Sequence, residues 1–211
     1  MKVVVSYINS LYDTKKTIDL INETSADGIH VDLMDGIYVD TKNFDINTIN
    51  AYFENNKKPL DIHLMVNNPS EFFSVLFKLN PDCIYVHLNT EEDIINTLII
   101  IDSHYIKPAI VINPDEKLQL FEKIFPYVKR VLLMGVVPGK GGQKFINKTK
   151  EKLEQLKIYQ EKYHFEIFVD GGINNETINY VSTADGVVSG SYVCLSQNYE
   201  ERIVYLKNVN R

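Results

Sequence analysis

The feature that most limits what this chain can fold into is an eightfold alternation along its length. Short runs rich in β-branched residues recur at Val3–Ser6, Gly28–Asp32, Leu60–Met65, Cys83–His87, Lys107–Ile112, Arg130–Met134, Glu166–Val169 and Gly186–Ser189. Several are apolar at every position rather than at every second one, the pattern of parallel strands covered on both faces. Between them lie stretches with helical spacing at Lys15–Glu23, Ile46–Glu54, Ser70–Lys78, Glu92–Ser103, Glu116–Ile124, Lys148–Tyr163, Glu176–Val181 and Glu200–Asn208. Asn68-Pro69-Ser70-Glu71 and Asn113-Pro114-Asp115-Glu116 place a proline where a helix's first N–H would be unbonded anyway. Asn147, before a Lys/Glu-rich segment, reads as an N-cap. No Pro/Gly/Ser linker or low-complexity tract interrupts residues 1–211, so a single α/β domain is expected. Eight parallel strands either close into a barrel or remain an open doubly wound sheet, and periodicity alone does not separate the two. In a barrel, functional groups gather at the carboxyl ends of many strands. In an open sheet they concentrate at one switch point.

Charge and cysteine usage narrow the class. A net charge of −6 gives no basic footprint for nucleic acid. A phosphate ligand would therefore have to be captured by local geometry. Cys83 and Cys194 stand far apart in apolar contexts, as packing thiols do, and make no disulfide framework. The apolar run after Met1 is too short for a signal peptide, and no stretch approaches the roughly 18 apolar residues of a membrane span. A cytoplasmic protein is expected, without membrane or nucleic-acid partners.

The polar residues at the strand ends carry the chemistry. His30 and Asp32 are two apart on one strand, so both side chains share a face. His63 interrupts an apolar strand, and Asp170 ends another just before Gly171-Gly172. Two imidazoles and two carboxylates suit one divalent ion of the Zn, Fe, Mn or Co type. Taken singly, each of these residues is more often a core hydrogen-bonding group; the weight lies in their recurrence at three strand ends. Glycine-bearing turns follow strands six, seven and eight: Gly139, Gly141 and Gly142 around Lys140; Gly171 and Gly172; and Gly190 before Ser191. Such turns let backbone N–H groups approach an anion, and barrels of this type commonly bind phosphate there. Met34, Met65 and Met134 fall at strand ends, where a polarisable side chain either lines a pocket or fills core; all three are expected to line the pocket.

These residues resemble the ribulose-phosphate 3-epimerase family. The matching stretches are Ser6, His30-Val31-Asp32-Leu33-Met34-Asp35-Gly36, Asp61-Ile62-His63-Leu64-Met65-Val66, Asn113-Pro114, Val131–Phe145, Val169-Asp170-Gly171-Gly172-Ile173 and Gly190-Ser191. They run in order from the first strand to the last. The resemblance implies a single-domain (β/α)8 TIM barrel of the ribulose-phosphate-binding type that interconverts D-ribulose 5-phosphate and D-xylulose 5-phosphate, a step of the pentose phosphate pathway. It implies a metal held by His30, Asp32, His63 and Asp170, with Asp32 and Asp170 also the acid/base pair acting through an enediolate. It implies substrate contacts from Ser6, His63, Asp170 and the glycine turns with Ser191, and association into homo-oligomers.

The chain departs from the family in its loops. After Met34-Asp35-Gly36 the family usually reads His-Phe-Val-Pro-Asn, and this chain has Ile37-Tyr38-Val39-Asp40-Thr41. Lys140 replaces an aromatic or apolar residue, and Ser6-Tyr7-Ile8-Asn9 departs from the common continuation of the first strand. Loops shape a pocket more than strands do. A 3-epimerase of a hexulose 6-phosphate such as allulose 6-phosphate therefore stands as an alternative. A non-catalytic phosphosugar-binding barrel and a metal-free lyase or decarboxylase are weaker ones. His87, His104 and His164 acquire no role at this level.

Overall fold

A computed structural model describes residues 1–209 except 44, 47 and 48. Eight parallel strands close on themselves in sequence order: β1 (Lys2–Ser6), β2 (Gly28–Met34), β3 (Leu60–Met65), β4 (Cys83–His87), β5 (Lys107–Ile112), β6 (Arg130–Met134), β7 (Glu166–Asp170) and β8 (Gly186–Ser189). Pairing of β1 with β8, Val3 opposite Val187, completes the barrel and leaves no sheet edge. The expected closed barrel is therefore the fold.

The unbroken apolar runs have a simple cause. One set of side chains, including Val5, Ile29, Val31, Ile62, Ile84, Ile110, Leu133 and Val187, points outward into a layer shared with the helices. The alternate set, including Val4, Tyr85, Ala109, Val111, Leu132, Phe168 and Val188, fills the barrel interior. Both sets are dry, so each strand is apolar on both faces. Burying one Leu, Ile or Phe stabilises by roughly 1.5–3 kcal/mol, and the double layer is the main source of stability. Gly186 faces inward at the narrow end. A Cβ there would lie 2.4 Å from the Phe168 ring, so glycine is what lets Phe168 fill the barrel.

The narrow end is closed by a polar plug. Arg130 is buried, with Nη1 donating to Asp61 Oδ2 at 2.7 Å and to the Tyr85 hydroxyl at 3.0 Å. Its Nη2 donates to Glu166 Oε2 at 2.8 Å, and the guanidinium stacks 4.1 Å from the Phe168 ring centroid. Tyr85 in turn donates to Asp61 Oδ2 at 3.0 Å.

The longer outer helices are α1 (Thr14–Asn22), α4 (Ile94–Ser103), α5 (Lys148–Tyr163) and α7 (Tyr199–Lys207); α2 (Ile49–Tyr52), α3 (Phe73–Leu76) and α6 (Ser191–Cys194) are single turns. Asp13, Asp93 and Asn198 cap α1, α4 and α7 through their side chains. Asn147 does not cap α5: it already has helical dihedrals, and its side chain makes no capping bond. Three expected helices are shorter than their spacing suggests. The 70–78 segment is α3 between two 3-10 turns, opened by Pro69 after a left-handed Asn68. The 116–124 segment is a 3-10 turn at Leu118–Phe121, and a second one, Phe125–Tyr127, follows with Pro126 inside it; Pro114 opens a turn, not a helix. Proline lacks the N–H and crowds the preceding residue out of helical space. In the 176–181 segment, Asn174 Oδ1 accepts the N–H groups of Glu176 and Thr177, leaving a 3-10 turn at Ile178–Val181. The expected helix at 46–54 is represented by α2; its positions 47 and 48 lie outside the described residues. Among the described residues, no helix is long and apolar enough to cross a membrane.

Candidate active site and metal centre

The carboxyl end of the barrel gathers the residues singled out by their strand positions. Register places Asp32 of β2 beside His63 of β3, with His30 two residues back on the same inward face. Asp170 reaches in from the end of β7. One ligand atom from each of His30, Asp32, His63 and Asp170 lies within 4.8 Å of the others. His63 Nδ1 is 3.2 Å from Asp32 Oδ1 and 3.9 Å from Asp170 Oδ2; His30 Nε2 is 3.4 Å and 3.7 Å from the same two oxygens. Both imidazoles are fully buried.

This donor set fits a divalent ion. Nitrogen and oxygen ligands stand about 2.0–2.2 Å from zinc, so donors around one ion are roughly 3–4.4 Å apart. The observed spacings need only slight contraction. His30 supplies the second argument: neither ring nitrogen has a hydrogen-bond partner although both are buried, which is costly without a ligand.

The four side chains form a compressed charge cluster. Burial alone would raise the Asp32 carboxyl, yet the imidazoles of His30 and His63 hold it well below the usual carboxylate range. Ser6 Oγ also donates to its Oδ2 at 2.7 Å. At Asp170 burial wins and lifts the carboxyl well above its usual range; His30 opposes that rise and the Asp32 charge adds to it. Burial would lower His30, but Asp32 and then Asp170 outweigh it and raise the imidazole to about 9. A metal ligand must be a neutral imidazole, so below pH 9 binding displaces a proton from His30. Zinc affinity should therefore rise about tenfold per pH unit between pH 7 and 8.5. Competition titrations against a chromogenic chelator check this; an affinity independent of pH would show that the His30 imidazole is not raised in this way.

A cavity of about 400 Å³ opens above these groups. Its walls include Ser6, Asp32, His63, Asp170, Met65 and Met134, and the turn residues Gly139, Gly141, Gly142, Gly171, Gly172, Gly190 and Ser191. The three glycine turns thus meet around one space. Gly172 adopts φ +70°, and a Cβ there would lie 2.7 Å from the Phe145 backbone nitrogen. Only glycine allows the turns after β6 and β7 to pack so closely. Asn9 Nδ2 donates to Ser191 Oγ at 2.9 Å, tying the first loop to the last. Lys140 is exposed at the rim.

Met34 is not where its strand position suggested. It is fully buried and lies outside the cavity wall. The loop after β2 folds back over it: Asn43 Oδ1 accepts from Met34 N, and Asn43 Nδ2 donates to Asp32 O. His87, which ends β4 and was open to lining the barrel mouth, had no role assigned from the sequence. It is buried beside His63, their Nε2 atoms 2.9 Å apart. Its inward parity with Cys83 and Tyr85 on β4 was the available signal.

The fold recurs in solved structures. N-(5'-phosphoribosyl)anthranilate isomerase from Pyrococcus furiosus superposes with a TM-score of 0.68 at 18% identity, covering 99% of this chain and 100% of that one. A 3-hexulose-6-phosphate synthase superposes with a TM-score of 0.67 at 18% identity over 98% of each chain. At that identity the likeness is one of fold. Sequence relatives are nearer. The ribulose-phosphate 3-epimerase of Helicobacter pylori strain J99 is 36% identical over 100% of this chain and 99% of its own length. That of Bacillus subtilis is 34% identical over 82% of each. The model of the ribulose-phosphate 3-epimerase family matches residues 4–194. This chain therefore belongs to the ribulose-phosphate 3-epimerase family, a family of isomerases.

Proposed function

We propose that this protein interconverts D-ribulose 5-phosphate and D-xylulose 5-phosphate, with Asp32 and Asp170 exchanging a proton at C-3 on opposite faces of the substrate. The observation that carries this reading is geometric: the carboxylates of Asp32 on β2 and Asp170 on β7 face one cavity floor and approach the same imidazole nitrogens of His30 and His63. Inversion at a carbon beside a ketone requires such a pair: one group removes the proton and a second returns one to the other face. Asp32, ionised and held by the Ser6 hydroxyl, takes the proton in one direction. Asp170 delivers one, and the roles exchange in reverse.

A divalent ion held by His30, Asp32, His63 and Asp170 would supply Lewis acidity toward the substrate's ketone oxygen. Met65 and Met134 form apolar wall beside the carboxylates and keep water from the reacting carbon. The glycine turns and Ser191 lie where backbone N–H groups and a hydroxyl can hold the phosphate. The choice of a pentulose rests on the relatives, which are named for ribulose phosphate.

Turnover of D-ribulose 5-phosphate in D2O, followed by proton NMR, tests the two-base chemistry. Xylulose 5-phosphate should form with deuterium at C-3, because the delivering carboxyl exchanges with solvent before it acts. Product that keeps the original C-3 hydrogen would rule out two opposed carboxylates.

A further inference from the structure

His87 takes part in none of these steps, yet it is fully buried at the carboxyl end of β4. Its ring meets that of His63 edge to edge, with centroids 5.1 Å apart and an interplanar angle of 28°. The two Nε2 atoms are 2.9 Å apart. Two imidazole nitrogens at that distance share one proton: two N–H groups would clash and two lone pairs would repel. His63 turns its other nitrogen, Nδ1, toward Asp32 and Asp170. To ligate an ion, Nδ1 must be a lone pair, so the proton of the neutral ring must be on Nε2.

We infer that His87 is a positioning residue that accepts the His63 Nε2–H and so holds His63 in the tautomer and orientation that present Nδ1 to the metal site. The inference rests on the metal reading given above. His87 is itself held from the other side. The Tyr38 ring covers it at a centroid distance of 4.6 Å, and Asn113 Nδ2 donates to the Tyr38 hydroxyl at 3.4 Å. Tyr38 belongs to the loop that departs most from the family, so that loop reaches the metal site through His87. The chain of contacts Tyr38–His87–His63 thus joins the loops after β2 and β5 to a ligand on β3.

Outer-shell partners of this kind are typically worth about 10- to 100-fold in metal affinity. The test is zinc binding at fixed pH by wild type, His87→Leu and His87→Gln, in competition with a chromogenic chelator. Wild type should bind one zinc per chain. His87→Leu, which has no acceptor, should bind about 10- to 100-fold more weakly. His87→Gln, whose amide oxygen can accept the same hydrogen, should recover most of the loss. Equal affinity in His87→Leu would overturn the inference, as would a His87→Gln variant no better than His87→Leu. A wild-type chain that binds no zinc would remove the metal reading and this inference together. Long-range proton–nitrogen NMR of the zinc-loaded wild type gives an answer even where the variants do not fold. It should show His63 protonated at Nε2 and His87 Nε2 accepting; the opposite sense would contradict the assignment.

Discussion

Asp170→Asn is expected to lower turnover of D-ribulose 5-phosphate by about 10²- to 10⁴-fold, the usual contribution of a positioned acid or base. The amide keeps the shape of the carboxyl but has no proton to deliver at neutral pH, and it is a weaker ligand. The fold should not suffer. Asp170 is raised because burial disfavours its charge, so a neutral side chain removes a cost rather than adding one. The melting temperature should stay level or rise slightly. Asp32→Asn should be about as damaging, and the double variant little worse than either, because groups acting as one unit lose function together. Steady-state kinetics and thermal melts on the three variants check the set. Near-full turnover in Asp170→Asn would remove that residue from the chemistry.

The second large effect lies at the opposite end of the barrel and concerns stability alone. Arg130→Met should destabilise the protein by about 3–5 kcal/mol, because it strands the Asp61 carboxylate inside the barrel. Burial already raises Asp61 against the pull of Arg130. Without the guanidinium, Asp61 must either stay charged at a larger cost or take up a proton. Tyr85 and Glu166 lose a donor at the same time. A loss of this size is a large part of the roughly 5–15 kcal/mol that holds a typical domain together. Pairing the change with Asp61→Asn should restore much of it, since removing both charges of a buried pair costs far less than removing one. Urea unfolding at pH 7 measures both variants. A single variant within 1 kcal/mol of wild type would show that the plug does not depend on this pair.

How much of this was legible in the sequence varies by element. The strands were readable because each is apolar on both faces, as at Ile29, Val31 and Leu33 outward beside a buried inward His30 and Asp32. The same contrast exposed the site through the recurrence of histidine and aspartate at three strand ends; Asp61, alone in its role, is held instead by Arg130 and Tyr85. The helices after β3, β5 and β7 were harder. Pro69, Pro126 and the Asn174 side chain compete with helix at positions whose apolar spacing still looks helical. Met34 was misplaced because the fold-back of residues 35–43, bridged at Asp35 and Lys42, is invisible to strand parity. Arg130 and His87 were missed for a shared reason. Each acquires its role from a partner on another strand, and which partner that is depends on barrel register.

The most direct test of the whole account is turnover of D-ribulose 5-phosphate by purified protein before and after chelation, with xylulose 5-phosphate read by a coupled reaction. The account predicts activity that chelator abolishes and a divalent metal restores. Full turnover by protein shown to be metal-free would contradict it.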